Sequence, residues 1–330
     1  MEIGISTIPA SIAAVRDIAI AAERHGIPRL GIADSPRLFG AAYPAVQDAL
    51  GATGALRIGP LVTNPLTMHS SVHAATLAAL TELHPGRVTV AMGTGDSAVR
   101  AVGLPAAPRE VLRRALGDLR DALGDRVSIE MAVSGWKAAD AVPADVDGVV
   151  LGCGLSAPHA RALRERAEAA AGKSLSARVT VVGHLVTGAA ELPSAARAVQ
   201  ASVVAYARHG IGGDPALRDV PRELWAGLRA VFAGYRTDAH AKVGGENAEL
   251  LAGYAEVAEY LIQRYALVGT AGHVAERLRT FHADSGVDGV SVSVNVPDPH
   301  TQIRLIGDEL IPRLARHESG TTNLKKTETR

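Results

Sequence analysis

Residues 59–69 read GPLVTNPLTMH, and residues 90–97 read VAMGTGDS. In each stretch an apolar strand ends in small and polar residues that expose the backbone just before a predicted helix. In parallel α/β proteins, ligands bind at the carboxyl ends of the strands, because helix amino termini and free backbone N–H groups converge there. Two such strand ends in succession therefore predict one edge of a ligand site.

The rest of the chain repeats this alternation of strand and helix. Strands such as residues 127–133, VSIEMAV, are nearly all apolar, which is typical of strands covered on both faces in a parallel sheet. Eight parallel strands with intervening helices close most naturally into a TIM barrel, the (β/α)8 member of the α/β class. The predicted strands are Glu2–Thr7, Arg29–Asp34, Arg57–Asn64, Arg87–Gly95, Val127–Gly135, Asp147–Gly154, Ala177–Gly188 and Asp288–Val296.

We expect one barrel domain over residues 1–317, interrupted at about 97–108 and 211–265. Such additions lie over the carboxyl ends of the strands and shape the substrate pocket, although a contact between copies of the chain is an equal alternative. Residues 318–330 are polar and charged without an apolar period, so a disordered tail is expected there.

The composition argues against several classes of protein. With 330 residues and 47% hydrophobic content, the chain can bury the core of a large enzyme. Its formal net charge of zero lacks the basic excess of a nucleic-acid-binding protein. The sequence has no leader pattern and no apolar run of about 20 residues. We therefore expect a soluble, cytoplasmic protein with no membrane or nucleic-acid partner.

Four segments resemble the bacterial luciferase-like oxidoreductases, most closely their methylenetetrahydromethanopterin reductase-like branch. They are residues 62–69 (VTNPLTMH), residues 93–100 (GTGDSAVR), and the pair 268–271 (VGTA) and 286–289 (GVDG). The resemblance implies a TIM barrel that binds FMN or the deazaflavin coenzyme F420 at the strand carboxyl ends. It also implies a homodimer that acts on a small-molecule substrate.

The resemblance further implies that the third strand ends in a bulge with a non-prolyl cis peptide behind the central flavin ring. The matching positions are Val62, Thr63 and Asn64. An ordinary turn before Pro65, capped by Asn64, is the alternative.

Phosphate recognition is indicated after the fifth strand, where residues 134–137 read SGWK. Ser134 supplies a hydroxyl, Gly135 allows close approach, and Trp136 and Lys137 begin a short helix whose dipole favours an anion. The family carries a Ser/Gly-rich phosphate loop at this position; a solvated Lys137 is the alternative. Residues 152–154 add a second glycine-rich segment, in which Gly152 and Gly154 flank Cys153, a thiol expected to be a small core residue.

The end of the fourth strand offers further cofactor contacts. Gly93 and Gly95 would let a cofactor lie against the backbone, and Asp96 with Ser97 could accept or donate hydrogen bonds to its hydroxyl groups. A helix cap at Asp96 is the structural alternative.

The proton-transferring residue is the hardest to assign. Asp34 and Ser35 end the second strand, where F420-dependent relatives often have an acidic residue followed by histidine. The serine here removes that imidazole, which leaves Asp34 as a candidate acid or base and as a cofactor contact with Ser35. His184, in the seventh strand, is the second catalytic candidate, with a packed structural histidine as its alternative.

Other histidines are expected to have structural roles. His69 and His73 have the i, i+4 spacing of metal ligands, but no carboxylate motif accompanies them, so no metal site is predicted and His69 is expected to anchor the helix start. His209, His240 and the remaining histidines are expected at the surface or in loops.

Together these observations predict F420-dependent hydride transfer to or from an unsaturated small molecule such as an imine, an enone or a pterin-like group. An FMN-dependent monooxygenase is the first alternative, and a barrel that binds flavin without turnover is the second.

Overall fold

A computed structural model of the chain describes residues 1–213, 219–240 and 242–315. The predicted disordered tail at 318–330 lies outside these residues. The model contains a closed parallel barrel, which confirms the predicted TIM-barrel fold. Seven strands pair in chain order, and β9 pairs with both β7 and β1 to close the ring. The strands are β1 (Glu2–Thr7), β2 (Arg29–Ile32), β3 (Arg57–Thr63), β4 (Thr89–Met92), β5 (Ser128–Val133), β6 (Gly148–Leu151), β7 (Ser176–Leu185), β8 (Ala266–Gly269) and β9 (Gly289–Ser293).

Helices cover the outside of the barrel and occupy the two predicted interruptions. They are α1 (Ile12–Arg24), α2 (Ala42–Gly51), α3 (Ser70–Leu83), α4 (Ser97–Arg100), α5 (Arg109–Leu123), α6 (Trp136–Ala139), α7 (Ala157–Ala171), α8 (Leu192–Ile211), α9 (Trp225–Ala233), α10 (Glu246–Glu249), α11 (Ala255–Tyr265), α12 (Ala271–Ser285) and α13 (Pro299–Arg304). A π-helical turn, Leu305–Leu310, continues α13.

The short strand β8 was not predicted from the sequence. It pairs with residues 182–185 of β7, beyond residues 176–179 that pair with β6. β9 pairs with one edge of β7 up to residue 182. β8 therefore pairs with the other edge of β7, beyond the point where the pairing with β6 ends. No turn residues announce β8 in the sequence, because it directly follows Tyr265, the last residue of α11.

Helix α1 shows how the local pattern sets an element. The Ser11 side chain accepts a hydrogen bond from the Ala14 backbone N–H (3.1 Å), and Gly26, at φ +69°, follows its end. Val15, Ile18, Ala19 and Ala22 are buried on one face of the helix, whereas Ile12 is 45% exposed at the first turn.

Charged side chains close the amino-terminal end of the barrel. Arg29 of β2 donates to the carboxylate of Glu130 of β5 (2.9 Å), and both side chains are buried. Because β2 and β5 are not neighbours, this pair crosses the barrel interior. Arg178 lies beside the same carboxylate (3.7 Å) and pairs with Glu2 (3.1 Å). The opposite end of the barrel is open.

Candidate active site

A cavity of about 740 Å³ opens at the carboxyl ends of the strands. Its volume lies within the roughly 300–1,000 Å³ of small-molecule sites. Residues that follow β2, β3, β4, β5 and β6 line it, together with residues of β1, β7 and β9 and of helix α8. The predicted site residues that line it are Asp34, Ser35, Val62, Thr63, Asn64, Gly93, Gly95, Asp96, Ser97, Ser134, Gly135, Trp136, Lys137 and Gly152.

Two predicted site residues lie outside this wall. Gly154, at φ +64°, packs against the Arg264 carbonyl oxygen, 2.4 Å from where a Cβ would stand. His184 lies in the part of β7 that pairs with β8, opposite Val268. Burial lowers the pKa of His184, although Glu191 and Asp298 act against that effect. The geometry therefore favours packing roles for both residues.

The end of β3 has the irregular backbone that the resemblance implied. The peptide bond between Leu61 and Val62 is cis, and the pairing with β4 shifts register between Leu61 and Thr63. The Asn64 side chain also forms the turn proposed as the alternative, because its Oδ1 accepts from the backbone N–H groups of Leu66 (3.0 Å) and Thr67 (2.9 Å). The cis peptide and the turn formed by Asn64 therefore occur together at the end of β3.

The His73 side chain contacts the backbone just after β3. Its Nε2 lies 3.1 Å from the Asn64 carbonyl oxygen, which can only accept, so Nε2 carries the proton. Burial lowers the pKa of His73, so the ring is neutral and Nδ1 accepts from the Tyr43 hydroxyl (2.6 Å). His69 accepts from the Ser71 backbone N–H (3.2 Å), which confirms that it anchors the start of α3. Within the described part of the chain no group of side chains could hold a metal ion.

Asp34 is buried at the cavity wall. Its Oδ2 accepts a hydrogen bond from the Thr63 hydroxyl (2.6 Å), which ties the ends of β2 and β3 together. The loop that follows is held by the backbone carbonyl of Ser35, which accepts hydrogen bonds from the backbone N–H groups of Leu38 and Phe39.

The wall after β5 suits an anion. Helix α6 begins after Gly135, and no side chain caps its first turn. Lys137 and Arg109 both line the cavity, and neither has an ion-pair partner among the described residues. Trp136 packs against the His159 ring, with ring centroids 5.1 Å apart. Two cations without an ion-pair partner among the described residues therefore line the cavity.

Cys153 lies between Gly152 and Gly154 in the sequence, but it is fully buried and does not line the cavity. Burial raises the pKa of its thiol to about 12. It is a core residue, as predicted.

The expectation of surface or loop positions was wrong for His209, which lies on α8 and lines the cavity, and for His159, which is buried on α7. His240 does lie in a turn, but it also lines the cavity. His209 comes from α8, whose Tyr206 also lines the cavity. The Tyr235 hydroxyl contacts His240 Nδ1. Burial lowers the pKa of His240 to about 4. No sequence motif marks either His209 in α8 or His240 in the segment from 211 to 265.

Asp96, which follows β4, contacts His209 and two arginine side chains. Its carboxylate accepts from Arg208 Nη1 (2.6 Å) and from Arg100 Nε, and it lies 3.3 Å from His209 Nδ1. Burial raises the pKa of Asp96, but these positive neighbours outweigh burial and leave it lowered. Asp96 precedes α4 without capping it through its side chain, so its role is electrostatic.

A family model described as luciferase-like monooxygenase matches residues 2–289. A curated relative, the F420-dependent glucose-6-phosphate dehydrogenase of Nakamurella multipartita, is 36% identical over 89 residues, which cover 24% of this chain and 26% of that protein. The matched stretch thus spans about a quarter of the relative's length.

Solved structures show the same fold. The coenzyme F420-dependent tetrahydromethanopterin reductase of Methanopyrus kandleri superimposes with a TM-score of 0.72 at 18% identity, covering 95% of this chain and 99% of that one. An F420-dependent secondary alcohol dehydrogenase, solved with an F420–acetone adduct, gives 0.70 at 17% identity, covering 95% and 98%. Among the described helices, none combines the length and apolar character needed to cross a bilayer.

Proposed function

The chain belongs to the luciferase-like monooxygenase family, and on that premise we propose that it is an oxidoreductase with coenzyme F420 as its preferred cofactor. Its reaction would be hydride transfer to or from an unsaturated small molecule, such as an imine, an enone or a pterin-like group. The name of the curated relative that matches part of the chain specifies F420, which supports this cofactor over FMN.

One observation carries the proposal: the same cavity is lined by an apolar strand end and by two cations that have no ion-pair partner among the described residues. Val62 and Leu61 present apolar surface, whereas Lys137 and Arg109 face the same space without carboxylate partners among the described residues. A flavin-type cofactor has a planar, largely apolar ring and an anionic tail. The lining residues therefore fit such a molecule.

The individual roles follow from position. Ser134, Gly135, Trp136 and Lys137 would hold the anionic tail, and the irregular end of β3 would support the ring. The bound cofactor supplies the hydride chemistry, while the chain orients the reactants and excludes water. Asp34, fixed by Thr63, remains the proposed contact at the second strand end.

An FMN-dependent monooxygenase is the second candidate, and the family model itself is named for monooxygenases. The two differ in oxygen consumption, which only the monooxygenase requires during turnover. The third possibility, flavin binding without turnover, predicts binding in the absence of either reaction.

Cofactor titration tests the proposal. Purified protein is titrated separately with reduced F420 and reduced FMN while thermal stability is followed, because a ligand that binds the folded state must raise it. We expect F420 to raise stability at lower concentration than FMN. If neither cofactor does so well above micromolar concentration, the proposed function fails.

Variants then test the tail site. Ser134→Ala and Lys137→Ala should weaken binding of F420 more than binding of the deazaflavin that lacks the phosphate-bearing tail. Asp118→Asn, on α5 and outside the cavity wall, serves as the control for purification and folding. Equal losses for both ligands would refute the tail assignment.

A further inference from the structure

We infer that His209, on α8, exchanges a proton with the substrate and that Asp96 positions it for that step. The inference rests on the proposed hydride transfer and deepens it, because it names the chemical class of the substrate. Neither residue was assigned such a role from the sequence. Both line the cavity at the strand carboxyl ends.

The contact between the two residues indicates where the ring proton lies. His209 Nδ1 lies 3.3 Å from an Asp96 carboxylate oxygen, an ion-pair contact, and a nearby negative charge stabilises a proton on the ring nitrogen that faces it. This favours the proton on Nδ1 and leaves the lone pair on Nε2. Arg208 and Arg100 hold the same carboxylate in place, so the acceptor cannot easily turn away from the ring.

Burial, helped by two neighbouring guanidinium groups, favours the neutral form of the ring. Burial lowers the pKa of His209; the Asp96 carboxylate raises it, and the guanidinium groups of Arg208 and Arg100 lower it again, with a net decrease. His240 packs edge-on, with ring centroids 6.3 Å apart, and is itself neutral at neutral pH. A neutral imidazole with a free Nε2 accepts protons.

Other candidates on the wall are less suited to this step. The hydroxyl of Ser35 does not titrate near neutral pH, as an imidazole does. The Asp34 carboxylate already accepts a hydrogen bond from Thr63 (2.6 Å). His240 Nδ1 is engaged by the Tyr235 hydroxyl. Among the described residues that line the cavity, His209 and His240 are the histidines, and His209 has the carboxylate partner.

The proton step defines the substrate. A carbon that bears hydrogen stands next to a hydroxyl or amine group. Its C–H bond breaks and the electron pair leaves with the hydrogen, as hydride, to C5 of the oxidised deazaflavin. The O–H or N–H bond breaks and its proton passes to His209 Nε2, while a C=O or C=N bond forms. The substrate loses one hydride and one proton, and the reverse reaction returns both.

The substrate class is therefore an alcohol and carbonyl pair or an amine and imine pair.

The first test needs no cofactor. In protein labelled with ¹⁵N at histidine, NMR reports which ring nitrogen of His209 carries the proton, with the signal assigned by its loss in His209→Gln. We expect the proton on Nδ1 and a pKa below 6.5, the ordinary value for histidine. Asp96→Asn should lower that pKa further, because the carboxylate raises it. A proton on Nε2 in the wild-type protein would overturn the inference.

The second test uses oxidised F420 with a panel of secondary alcohols and cyclic amines. His209→Gln should bind F420 within about threefold of wild type yet lose kcat by roughly 100-fold or more, the usual size of general-base catalysis. The acidic limb of the pH profile should disappear. His300→Gln, an exposed position outside the cavity wall, is the matched control.

The outcomes separate the two proposals. If the wild-type protein does not bind F420, the proposed function fails, whereas the NMR result still decides the arrangement of Asp96 and His209. If His209→Gln retains kcat within threefold, or if wild-type protein oxidises no member of the panel, the inference is overturned.

Discussion

Gly152, after β6, leaves the space that the Ser134 side chain occupies after β5. A Cβ added at Gly152 would stand 2.6 Å from Ser134 Oγ and 3.3 Å from Ser134 Cβ. The glycine at this strand end therefore makes room for a neighbouring side chain on the cavity wall. The sequence had suggested that Gly152 itself contacts the cofactor.

Gly152→Ala should displace Ser134 and weaken F420 binding by about tenfold or more, with a stability loss of roughly 1–3 kcal/mol from overpacking. Titration calorimetry and denaturant unfolding measure the two effects. Gly152→Ala should cost less stability in protein that also carries Ser134→Gly, because the Ser134 side-chain atoms that would clash with the new Cβ are absent. An equal loss in both backgrounds would mean that the clash is not its cause.

Arg29→Met should destabilise the protein by about 3–5 kcal/mol, because it leaves the Glu130 carboxylate buried with a weaker set of partners. Denaturant unfolding measures the change. Arg16→Met provides the contrast, since the Arg16 side chain is 49% exposed beside Asp48 and its loss should cost far less stability. Similar costs for the two variants would contradict the role assigned to burial.

Tyr43→Phe should cost about 1–3 kcal/mol, because it leaves the buried Nδ1 of His73 without its donor. Since His73 also holds the Asn64 carbonyl, F420 binding should weaken in parallel. Unfolding and titration of the same preparation measure both. A variant as stable as wild type would show that another group satisfies Nδ1.

His240 should make the protein less stable in mild acid. Its pKa is lowered from 6.5 to about 4, chiefly by burial, so the unfolded chain binds a proton that the folded protein does not bind between these pH values. The free energy of unfolding should therefore fall as pH drops from 6.5 to 4. His240→Gln cannot take up this proton, and its loss over that window should be smaller by about 2 kcal/mol.

The comparison uses the difference between wild type and variant, because burial also lowers the pKa of His73 and of His209. Parallel pH curves for the two proteins would refute the prediction.

Cys153 should be unreactive in the folded protein. Burial raises the pKa of its thiol to about 12, and the thiolate is the form that reacts. A thiol reagent at pH 8 should label native protein at least roughly 100-fold more slowly than unfolded protein. Cys153→Ala should retain cofactor binding. Rapid labelling of the native protein would show that the thiol is accessible.

Much of the fold and part of the site followed from local sequence. The strand ends at 62–64, 93–97 and 134–137 were recognised because an apolar run gives way to small and polar residues. The barrel brings these ends to one cavity. Such patterns are legible because strand and helix periods depend on residues close together in the chain.

The positions of His209 and His240 could not be read in the same way. They enter the cavity because α8 and the segment after it fold back over the strand ends, and nothing in residues 211–265 states where that segment packs. For the same reason β8 went unnoticed, since its pairing partner lies some eighty residues earlier in β7.

The sequence by itself determined the alternation of strands and helices, the parallel barrel, and which strand ends are polar. These features arise from hydrophobic periodicity and turn chemistry over a few residues. Only the tertiary structure decided that Arg29 meets Glu130 across the barrel, that Gly152 accommodates Ser134, and that Asp96 faces His209. Contacts of that kind depend on packing between distant segments, which no local pattern encodes.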